Sequence, residues 1–495
     1  MSEEKVAVKG DKIRKIVFIL ILMIISFFVF VYNYWTPSAL FWDENYFLPA
    51  AEKYIKKVFF MEPHPPLGKM FIAAGEIIIN PNKNINKDYF LTTDYIRKIP
   101  NNYSFAGIRF FPVVFAFFCP ILFFAILYKI SKDDLSAFLF TLIFTFNNAL
   151  VVHFRGAMLD SIQLFFILST VLYFCNVVEK PKIRTNEYII LGLLSGLAIS
   201  VKLNSAILVL LFPALYIKEK LPKNKTQKLS IKNFYDLPLK ALFFIIGVAI
   251  IFFLVWQIHF LLARNVIEER YYGASDTYKK LLTNKTKNIE IFSNFFVMLR
   301  DNLQYIHNYE AGVPKLDLCK PDENGSPPLS WVIGGRSINY RWETDGRTTR
   351  YLYLQANPAI WLIGLTGILI SFSLCTSVIL FSLKIRNDKL FYYILIFLTL
   401  YVGYMVATMM IRRVLYLYHY FIPLTFSLIL SFLAVEYIFL EKNWNKKVKF
   451  LVLGCMLILV IAYFLLFIPL TYYLPLTKQA FLRISVFSWN GLKPI

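Results

Sequence analysis

The stretch KIVFILILMIISFFVFVYNYWTPSALFWDEN, residues 15–45, sets a long apolar run directly before two acidic residues. A run of about twenty apolar residues is long enough to cross a bilayer as a single helix. Asp43 and Glu44 follow shortly after the point where that helix would leave the membrane. The stretch therefore predicts a membrane span with two carboxylates at its far end.

Composition extends this prediction to the whole chain. Of the 495 residues, 58% are hydrophobic and 17% are charged, and the mean hydropathy is +0.55. In soluble domains about a quarter of all residues are charged. The lower charged fraction of this chain leads us to expect a protein with many membrane spans. The net charge of +22 does not indicate nucleic-acid binding, because the basic residues lie in short connectors between apolar runs. The five cysteines show no metal-site or disulfide spacing.

Eleven apolar segments predict an all-α integral membrane bundle. The N-terminal residues precede the first segment without a small-residue cleavage site, which favours an uncleaved first span over a signal peptide. The fifth and sixth segments are short and nearly continuous, with a break around Lys202. The predicted spans are 15–34, 107–129, 134–150, 160–178, 188–201, 203–218, 240–262, 358–383, 390–410, 414–437 and 447–470.

The distribution of basic residues predicts the orientation. With the N-terminus inside the cell, the inner connectors hold 24 Lys and Arg, whereas the short outer loops hold four. This bias is what the positive-inside rule expects for a multi-pass protein of the inner (plasma) membrane. Two long segments, 35–106 and 263–357, then lie outside as loops of one domain, 1–495, and long loops are usually functional.

Asp43 and Glu44 lie on the outer side in this topology, between aromatic residues. Aromatic side chains at the membrane interface cover what lies between them. A carboxylate in such a place has a raised pKa and becomes a candidate base, whereas the alternative is that both groups simply face water. The segment that follows can form an amphipathic helix on the membrane surface.

Cations from several parts of the chain lie on the same outer side. Cations near the headgroup plane suit a phosphate or pyrophosphate that a lipid carries. A carboxylate beside that phosphate suits a base that deprotonates an acceptor hydroxyl, as in an inverting sugar transfer from a lipid phosphate. Arg155 could alternatively pair with Asp160 and tie two loops together. The candidate phosphate ligands are Arg109, Arg155, Lys202, Arg412 and Arg413.

The motifs, taken in order along the chain, resemble those of the protein O-mannosyltransferases. The most specific is an Asp-Glu pair, 43–44, followed by His-Pro-Pro-Leu-Gly-Lys at 64–69. Further stretches that resemble the family are YSFAGIRFFP (103–112), FRGAMLDSIQLFF (154–166), GLAISVKLNS (196–205), YIHNYEAG (305–312), PPLSWVIGGRSINY (327–340), YLQANPAIWLIG (353–364) and IRRVLYLYHYFIP (411–423).

This resemblance implies a GT-C type bundle of about eleven membrane helices with two outer loops over the active site. It implies that Asp43 is the catalytic base and that Glu44 orients the acceptor peptide. It also implies that Arg109, Lys202 and Arg413 contact the phosphate of a polyprenyl-phosphate mannose. The acceptor would be a Ser or Thr of a secreted or membrane protein, and no cofactor is implied.

Two departures from the family pattern bear on this interpretation. The segment 263–357 leaves no room for the large β-trefoil (MIR) domain of fungal and animal members, which indicates a prokaryotic-like member. The stretch KLDLCKPDENGSPPLSWVIGG (315–335) replaces the family's His-Pro-Tyr type stretch, so protein and lipid acceptors both stay open. His64 is predicted as an acceptor contact or a turn fixed by two prolines, and His307, His419 and Tyr420 are candidate substrate contacts.

Three other functions fit parts of the sequence. A GT-C transferase of the aminoarabinose type would carry another lipid-linked sugar to a lipid or glycan, but its segment after the Asp-Glu differs from HPPLGK. A metal-assisted mechanism of the oligosaccharyltransferase type would need a paired acidic motif in the last outer loop, and none is evident, so no metal site is predicted. A transporter would show charges at mid-membrane depth or broken helix pairs, and the sequence pattern indicates neither. The sugar, the prenyl length, metal dependence and the oligomeric state stay open.

Overall fold

The computed structural model describes residues 3–221, 234–283, 292–441, 445–488 and 492. Parts of the inner connector 218–240 and of the outer segment 263–357 therefore lie outside the described residues. The described chain is a bundle of helices with one small sheet, which confirms the predicted all-α membrane class. The helices are α1 (Glu3–Ser26, extended by a π-helical turn, Phe27–Val31), α2 (Glu44–Lys56), α3 (Leu67–Ile79), α4 (Ala106–Ser131), α5 (Asp134–Thr145), α6 (Asn148–Phe154), α7 (Asp160–Val178), α8 (Thr185–Ile199), α9 (Leu211–Lys220), α10 (Leu237–Leu262), α11 (Asp276–Thr283), α12 (Phe292–Gly312), α13 (Pro358–Phe381), α14 (Asp388–Met409), α15 (Phe421–Glu441), α16 (Lys446–Leu466), α17 (Ile468–Thr471) and α18 (Lys478–Ser485).

Eight of the described helices are long and apolar enough to cross a membrane, and each coincides with a predicted span. The predicted span 134–150 is a bent pair, because α5 and α6 meet at 62°. The side chain of Asn147 accepts hydrogen bonds from the backbone N–H groups of Ala149 and Leu150, so it starts a new helix at the bend. Counted as one crossing, this pair gives a ninth span.

The fifth and sixth predicted spans are the short helix α8 and a 3-10 segment, Leu203–Leu210, that continues into α9. Between them, Lys202 bonds Asp160 at the start of α7. Beyond the other end of α7, Lys180 pairs with Glu187 in α8, and the neighbouring Tyr188 bonds Glu219 in α9. Each short segment therefore runs beside α7 from one end to the other, in addition to the nine spans among the described residues.

Close packing explains how so short a helix as α8 keeps its place. A Cβ atom added to Gly192 would lie 2.2 Å from the carbonyl oxygen of Phe244 in α10. A Cβ atom added to Gly247 of α10 would lie 2.3 Å from the carbonyl oxygen of Ile189. The two helices thus approach each other at glycines, as membrane helices with small residues at their interface do.

The two long loop segments meet at one end of the bundle, which we call the outer end. A β-bridge joins Val58 to Asn265, one from each segment. The strands β1 (Ile338–Thr344), β2 (Thr349–Leu354) and β3 (Pro475–Leu476) form an antiparallel sheet in that order. Four long apolar helices separate β2 from β3, an even number, so the C-terminal segment returns to the same end. The opposite end is called the inner end.

Candidate active site

Asp43 lies directly before α2 at the outer end and is half-buried. Its carboxylate has no hydrogen bond or ion pair with any residue that the structure describes. Burial raises the pKa of Asp43, and the positive charges of Lys202 and Lys69 oppose that rise. An unpaired carboxylate with a raised pKa, next to cations, is what a general base requires.

The residue before Asp43 has an uncommon backbone conformation. Trp42 has a φ of 51°, which is rare for a bulky side chain. Its ring stacks on Tyr340 at 4.8 Å between ring centroids and meets Tyr416 edge-on at 5.2 Å. Such backbone strain persists only where the surrounding packing enforces it, so these aromatic contacts fix the direction in which the chain enters α2.

Glu44 has a different environment from its neighbour Asp43, because it is 0% exposed. Its carboxylate accepts hydrogen bonds from Nε (2.7 Å) and Nη2 (2.9 Å) of Arg109 and from the backbone N–H of Ala157 (2.9 Å). Both side chains already have hydrogen-bond partners within the protein. Their geometry therefore does not support the predicted contacts of Glu44 with an acceptor and of Arg109 with a phosphate. The other guanidinium hydrogen bonds of Arg109 go to the carbonyl oxygens of Trp35, Pro37 and Ala39.

Arg155 is fixed by backbone carbonyl groups. It donates to the carbonyl oxygens of Phe30 (3.1 Å), Tyr32 (2.9 Å) and Asn33 (2.7 Å), at the end of the first span. It therefore does not form the pair with Asp160 that the sequence allowed. Its donors hold the π-helical turn after α1 in place, which does not support the predicted contact with a donor phosphate.

A chain of four polar side chains lies beside Asp43. Lys202 donates to both carboxylate oxygens of Asp160, at 2.9 and 2.8 Å. His153 Nε2 lies 2.8 Å from Asp160 Oδ2, and His153 Nδ1 lies 2.7 Å from the hydroxyl of Tyr340. Sequence reasoning missed His153 and Tyr340 as site residues, because 187 positions separate them and neither stands in a spacing pattern.

The loop between α2 and α3 brings a second group of residues to the same place. His64 is half-buried, and burial together with the charges of Lys69 and Lys202 holds its pKa well below its usual range, so His64 is neutral. Lys69 bonds the buried carboxylate of Glu62. Glu62 also accepts a hydrogen bond of 2.8 Å from the hydroxyl of Tyr54. The sequence singled out His64, but not Glu62 two positions earlier.

Two residues of the last outer connection complete the surroundings. Arg413 forms an ion pair with Glu310 of α12. The ring of His419 stacks on Tyr418 at 4.5 Å and on Trp331 at 6.1 Å. Both residues lie within electrostatic range of the site, because the charge of Arg413 acts on His64 and the charge of Lys202 acts on His419.

Three residues that the sequence predicted as substrate or phosphate contacts are not connected to the residues around Asp43 by any described hydrogen bond or ion pair. Arg412 and His307 are exposed, and the structure gives neither a hydrogen bond or ion pair with a described residue around Asp43. Tyr420 is 1% exposed and shares a 3.0 Å hydrogen bond with Tyr401 in the helix core. The structure therefore does not bring these residues to the candidate site.

An apolar groove of about 450 Å³ lies between α10, α12 and the segment that leads into α9. The 3-10 segment begins beside Lys202 and reaches the groove at Val209. Helix α12 reaches it at Leu303 and, two turns later, carries Glu310, the partner of Arg413. Two elements thus connect the charged cluster to a groove without polar lining. Its other lining residues are Phe212, Ala241, Phe244, Ile245, Val248, Ala249, Phe252, Phe253 and Leu299.

In the described part of the chain, no group of three or more His, Cys, Asp and Glu side chains is placed to hold a metal ion. The chemistry that the site itself offers is acid–base and electrostatic. Asp43 can accept a proton, and the ammonium group of Lys202 lies nearby to stabilise a negative charge.

Family models match most of the chain. Residues 20–264 match the family described as dolichyl-phosphate-mannose-protein mannosyltransferase, and residues 295–489 match the C-terminal four-helix region of protein O-mannosyltransferase. The chain belongs to the protein O-mannosyltransferase family. The resemblance that the motifs suggested is thereby confirmed.

Curated members of the protein O-mannosyltransferase family match the chain over part of their length. Dolichyl-phosphate-mannose–protein mannosyltransferase 3 of Saccharomyces cerevisiae is 26% identical over 265 residues, which are 50% of this chain and 33% of the yeast protein. Protein O-mannosyl-transferase 1 of Danio rerio is 27% identical over 157 residues, 32% of this chain and 21% of the fish protein. The chain thus spans a third or less of these relatives.

The similarity in fold extends over more of the chain than the similarity in sequence. The S. cerevisiae protein O-mannosyltransferase Pmt1–Pmt2 complex bound to the sugar donor includes a chain that superposes with a TM-score of 0.77 at 15% identity. The superposition covers 95% of this chain and 92% of the yeast chain. It confirms that this protein O-mannosyltransferase family member has the predicted GT-C type bundle.

Proposed function

We propose that the chain is an inverting glycosyltransferase that moves mannose from a polyprenyl-phosphate mannose to Ser or Thr hydroxyls of secreted or membrane proteins. The observation that supports this most is the state of Asp43. Its carboxylate is half-buried and unpaired among the described residues, while Lys202 and Lys69 act on it from nearby. A base beside cations suits an acceptor hydroxyl that attacks a sugar phosphate.

The proposed reaction has one displacement step. The acceptor hydroxyl oxygen attacks the anomeric carbon and loses its proton to Asp43. The bond from the anomeric carbon to the phosphate oxygen breaks, and the electron pair leaves with the polyprenyl phosphate. Lys202 stabilises the charge that grows on the phosphate, and no sugar is bound covalently to the protein. The configuration at the anomeric carbon is therefore inverted.

The apolar groove supports a lipid-linked donor. A polyprenyl tail is a hydrocarbon, and its transfer from water to an apolar surface is favourable. The groove residues, among them Phe212, Phe252 and Leu303, are apolar, and two elements lead from them to Lys202 and Glu310. A polyprenyl tail in this groove would contact the two elements that lead to Lys202 and to Glu310.

The names of the relatives agree with this donor and acceptor. The yeast relative is named a dolichyl-phosphate-mannose–protein mannosyltransferase, and the yeast complex is described as bound to the sugar donor. We infer the same classes of donor and acceptor for this chain. We also infer that it lies in the plasma membrane with its N-terminus in the cytoplasm and the outer end of the bundle, with Asp43, facing the extracytoplasmic side.

Purified protein in lipid nanodiscs tests the proposal. It would be incubated with polyprenyl-phosphate mannose and, in separate reactions, with Ser/Thr peptides and with lipid acceptors. Mass spectrometry and NMR of the product would give the acceptor and the anomeric configuration. Asp43→Asn removes the base, and Asp276→Asn, in the exposed helix α11 of the second outer loop, is the matched control.

We expect mannosylated peptide with the wild type and Asp276→Asn, and none with Asp43→Asn. Undiminished transfer by Asp43→Asn would exclude Asp43 as the base. A product on the lipid acceptor alone would replace the protein acceptor by a lipid. Movement of the donor across vesicles without any transfer would indicate a transporter instead.

A further inference from the structure

Tyr340 joins two parts of the candidate site that come from different segments of the chain. It lies on β1 of the second outer segment, at an irregularity where the register with β2 shifts between Asn339 and Arg341. The side chain is 7% exposed and points to the helix core rather than to the C-terminal segment. Its ring and its hydroxyl make separate contacts with the site.

The ring of Tyr340 supports the backbone at Asp43. It stacks on Trp42 with an interplanar angle of 22° and on Phe41 at 6.0 Å between centroids. Trp42 holds a φ of 51°, a conformation that needs enforcement by its neighbours. Because Asp43 follows Trp42 directly, a change in the Trp42 backbone would redirect the carboxylate.

The hydroxyl of Tyr340 forms one end of the polar chain that runs through His153 and Asp160 to Lys202. Asp160 bonds Lys202 and accepts from His153, so the Nε2 atom of His153 carries a proton. The other ring nitrogen of His153, Nδ1, shares a 2.7 Å hydrogen bond with the hydroxyl of Tyr340. This bond fixes the ring of His153, which in turn orients Asp160 and the ammonium group of Lys202.

We propose that Tyr340 is a positioning residue for the transfer reaction: through Trp42 it aims Asp43, and through His153 and Asp160 it aims Lys202. The inference rests on the proposed function, since it assigns Tyr340 to the site that Asp43 and Lys202 form. The second outer segment thereby has a direct part in aligning the base with the leaving phosphate.

Two substitutions separate the two contacts. Tyr340→Phe removes the hydroxyl and keeps the ring that stacks on Trp42, whereas Tyr340→Leu removes both. Tyr351→Phe is the matched control, because Tyr351 is a buried tyrosine of the neighbouring strand that packs on Phe481 at the opposite face of the sheet. For each variant we would measure kcat and KM of mannose transfer, the Tm, and hydrogen–deuterium exchange of residues 40–48.

We expect Tyr340→Phe to lower kcat about tenfold and Tyr340→Leu about a hundredfold, since a misplacement of about 1 Å has effects of this size. The KM for the peptide should stay within about twofold, since Tyr340 acts through other residues, and exchange at residues 40–48 should be faster in Tyr340→Leu. Tyr351→Phe should match the wild type in kcat and in exchange.

Other results would overturn the proposal. Wild-type kcat in Tyr340→Phe and Tyr340→Leu would exclude a positioning role, as would a fall in kcat that follows the Tm equally in Tyr351→Phe. If the wild type transfers no sugar at all, the proposed function fails and the role of Tyr340 in transfer fails with it, but the exchange data still test whether Tyr340 supports the backbone at Asp43. Unchanged exchange at residues 40–48 in Tyr340→Leu would then refute the support of the Asp43 backbone, and faster exchange would uphold it.

Discussion

The inner and outer ends of the bundle both bury paired charged side chains, but the outer end also holds Asp43, a half-buried carboxylate without a direct partner among the described residues. At the inner end Lys449 bonds Asp133 at 2.8 Å and Glu436 at 2.9 Å. Lys240 likewise bonds Glu219 and, at 2.9 Å, Asp236. At the outer end Asp43 lies near cations without a direct bond to any described residue.

This difference separates charges that hold the fold from a charge that is available for chemistry. A buried charge is costly unless it is paired, so the paired groups of the inner end satisfy each other. The same holds for Glu44 and Arg109 at the outer end. Asp43, one position before Glu44, has no such partner among the described residues, and unpaired groups with a shifted pKa cluster at functional sites.

The largest expected effect comes from a matched pair of substitutions at the two ends. Asp43→Asn should lower kcat about a thousandfold, since it removes a general base, and should leave the Tm unchanged. Asp236→Asn should lower the Tm, because it weakens the bonds with Lys240 and Lys220, and should leave kcat unchanged. Transfer kinetics and thermal unfolding of both variants check this. If Asp43→Asn lowered the Tm as much as Asp236→Asn does, Asp43 would stabilise the fold as the inner-end charges do, contrary to this account.

Arg109→Met should have the largest effect on stability. It leaves the fully buried carboxylate of Glu44 without its cation, and the loss of one partner of a buried pair costs about 3–5 kcal/mol in the free energy of unfolding. Denaturation of the purified protein measures the loss, and the double variant with Glu44→Gln should recover part of it. Wild-type stability together with lost donor binding would instead make Arg109 a phosphate ligand.

Lys449→Met tests the inner end with a smaller effect. The substitution leaves the buried carboxylate of Glu436 without its cation, whereas the other partner, Asp133, lies partly in solvent. The loss should therefore cost about 3 kcal/mol in the free energy of unfolding, the lower end of the range for a broken buried pair. The kcat of the folded variant should equal that of the wild type. A change in kcat at unchanged Tm would show that the inner end also takes part in the reaction, contrary to this account.

Lys202→Met should displace the pH profile of the reaction. Asp43 acts as a base only when ionised, so kcat/KM falls as the pH falls through the pKa of Asp43. Burial raises that pKa and the charge of Lys202 lowers it, so removal of the charge should raise the pKa further. The acid limb of the profile should therefore move to higher pH. A limb that stays in place would show that another group limits the rate.

The smallest effects are expected at the exposed residues Arg412 and His307. Replacement of either by Ala should change kcat/KM by less than about twofold, since surface substitutions away from a site change free energies by about 0.5 kcal/mol or less. Both side chains are exposed, away from the described contacts of Asp43. A tenfold rise in the KM for the donor in Arg412→Ala would restore this residue to the phosphate site that the sequence predicted.

The fold could be predicted from the sequence because a membrane helix must be apolar over its own length, whatever its neighbours are. The predicted span 160–178 coincides with α7, and 358–383 ends two residues beyond α13. The short spans 188–201 and 203–218 were harder to delimit, because α8 holds its place through contacts with α10 at Gly192 and Gly247, and hydropathy does not encode those contacts.

The site could be predicted only in part. Charge and topology brought carboxylates and cations to one end, but they could not tell which of them pair. Glu44 and Arg109 are 65 positions apart, and their bond depends on how the loop after α1 folds onto α4. Charge and topology alone do not distinguish the carboxylates of Asp43 and Glu44, whereas the structure gives them opposite environments.

The central claim is that Asp43 and Lys202 form the reactive pair, while Glu44 and Arg109 only support them. A structure of the protein with a non-transferable phosphonate analogue of polyprenyl-phosphate mannose tests this most directly. We predict the phosphonate at Lys202, the anomeric carbon facing Asp43, and Arg109 still bonded to Glu44. A phosphonate bound by an Arg109 that has left Glu44, with Asp43 directed away from the sugar, would contradict the account.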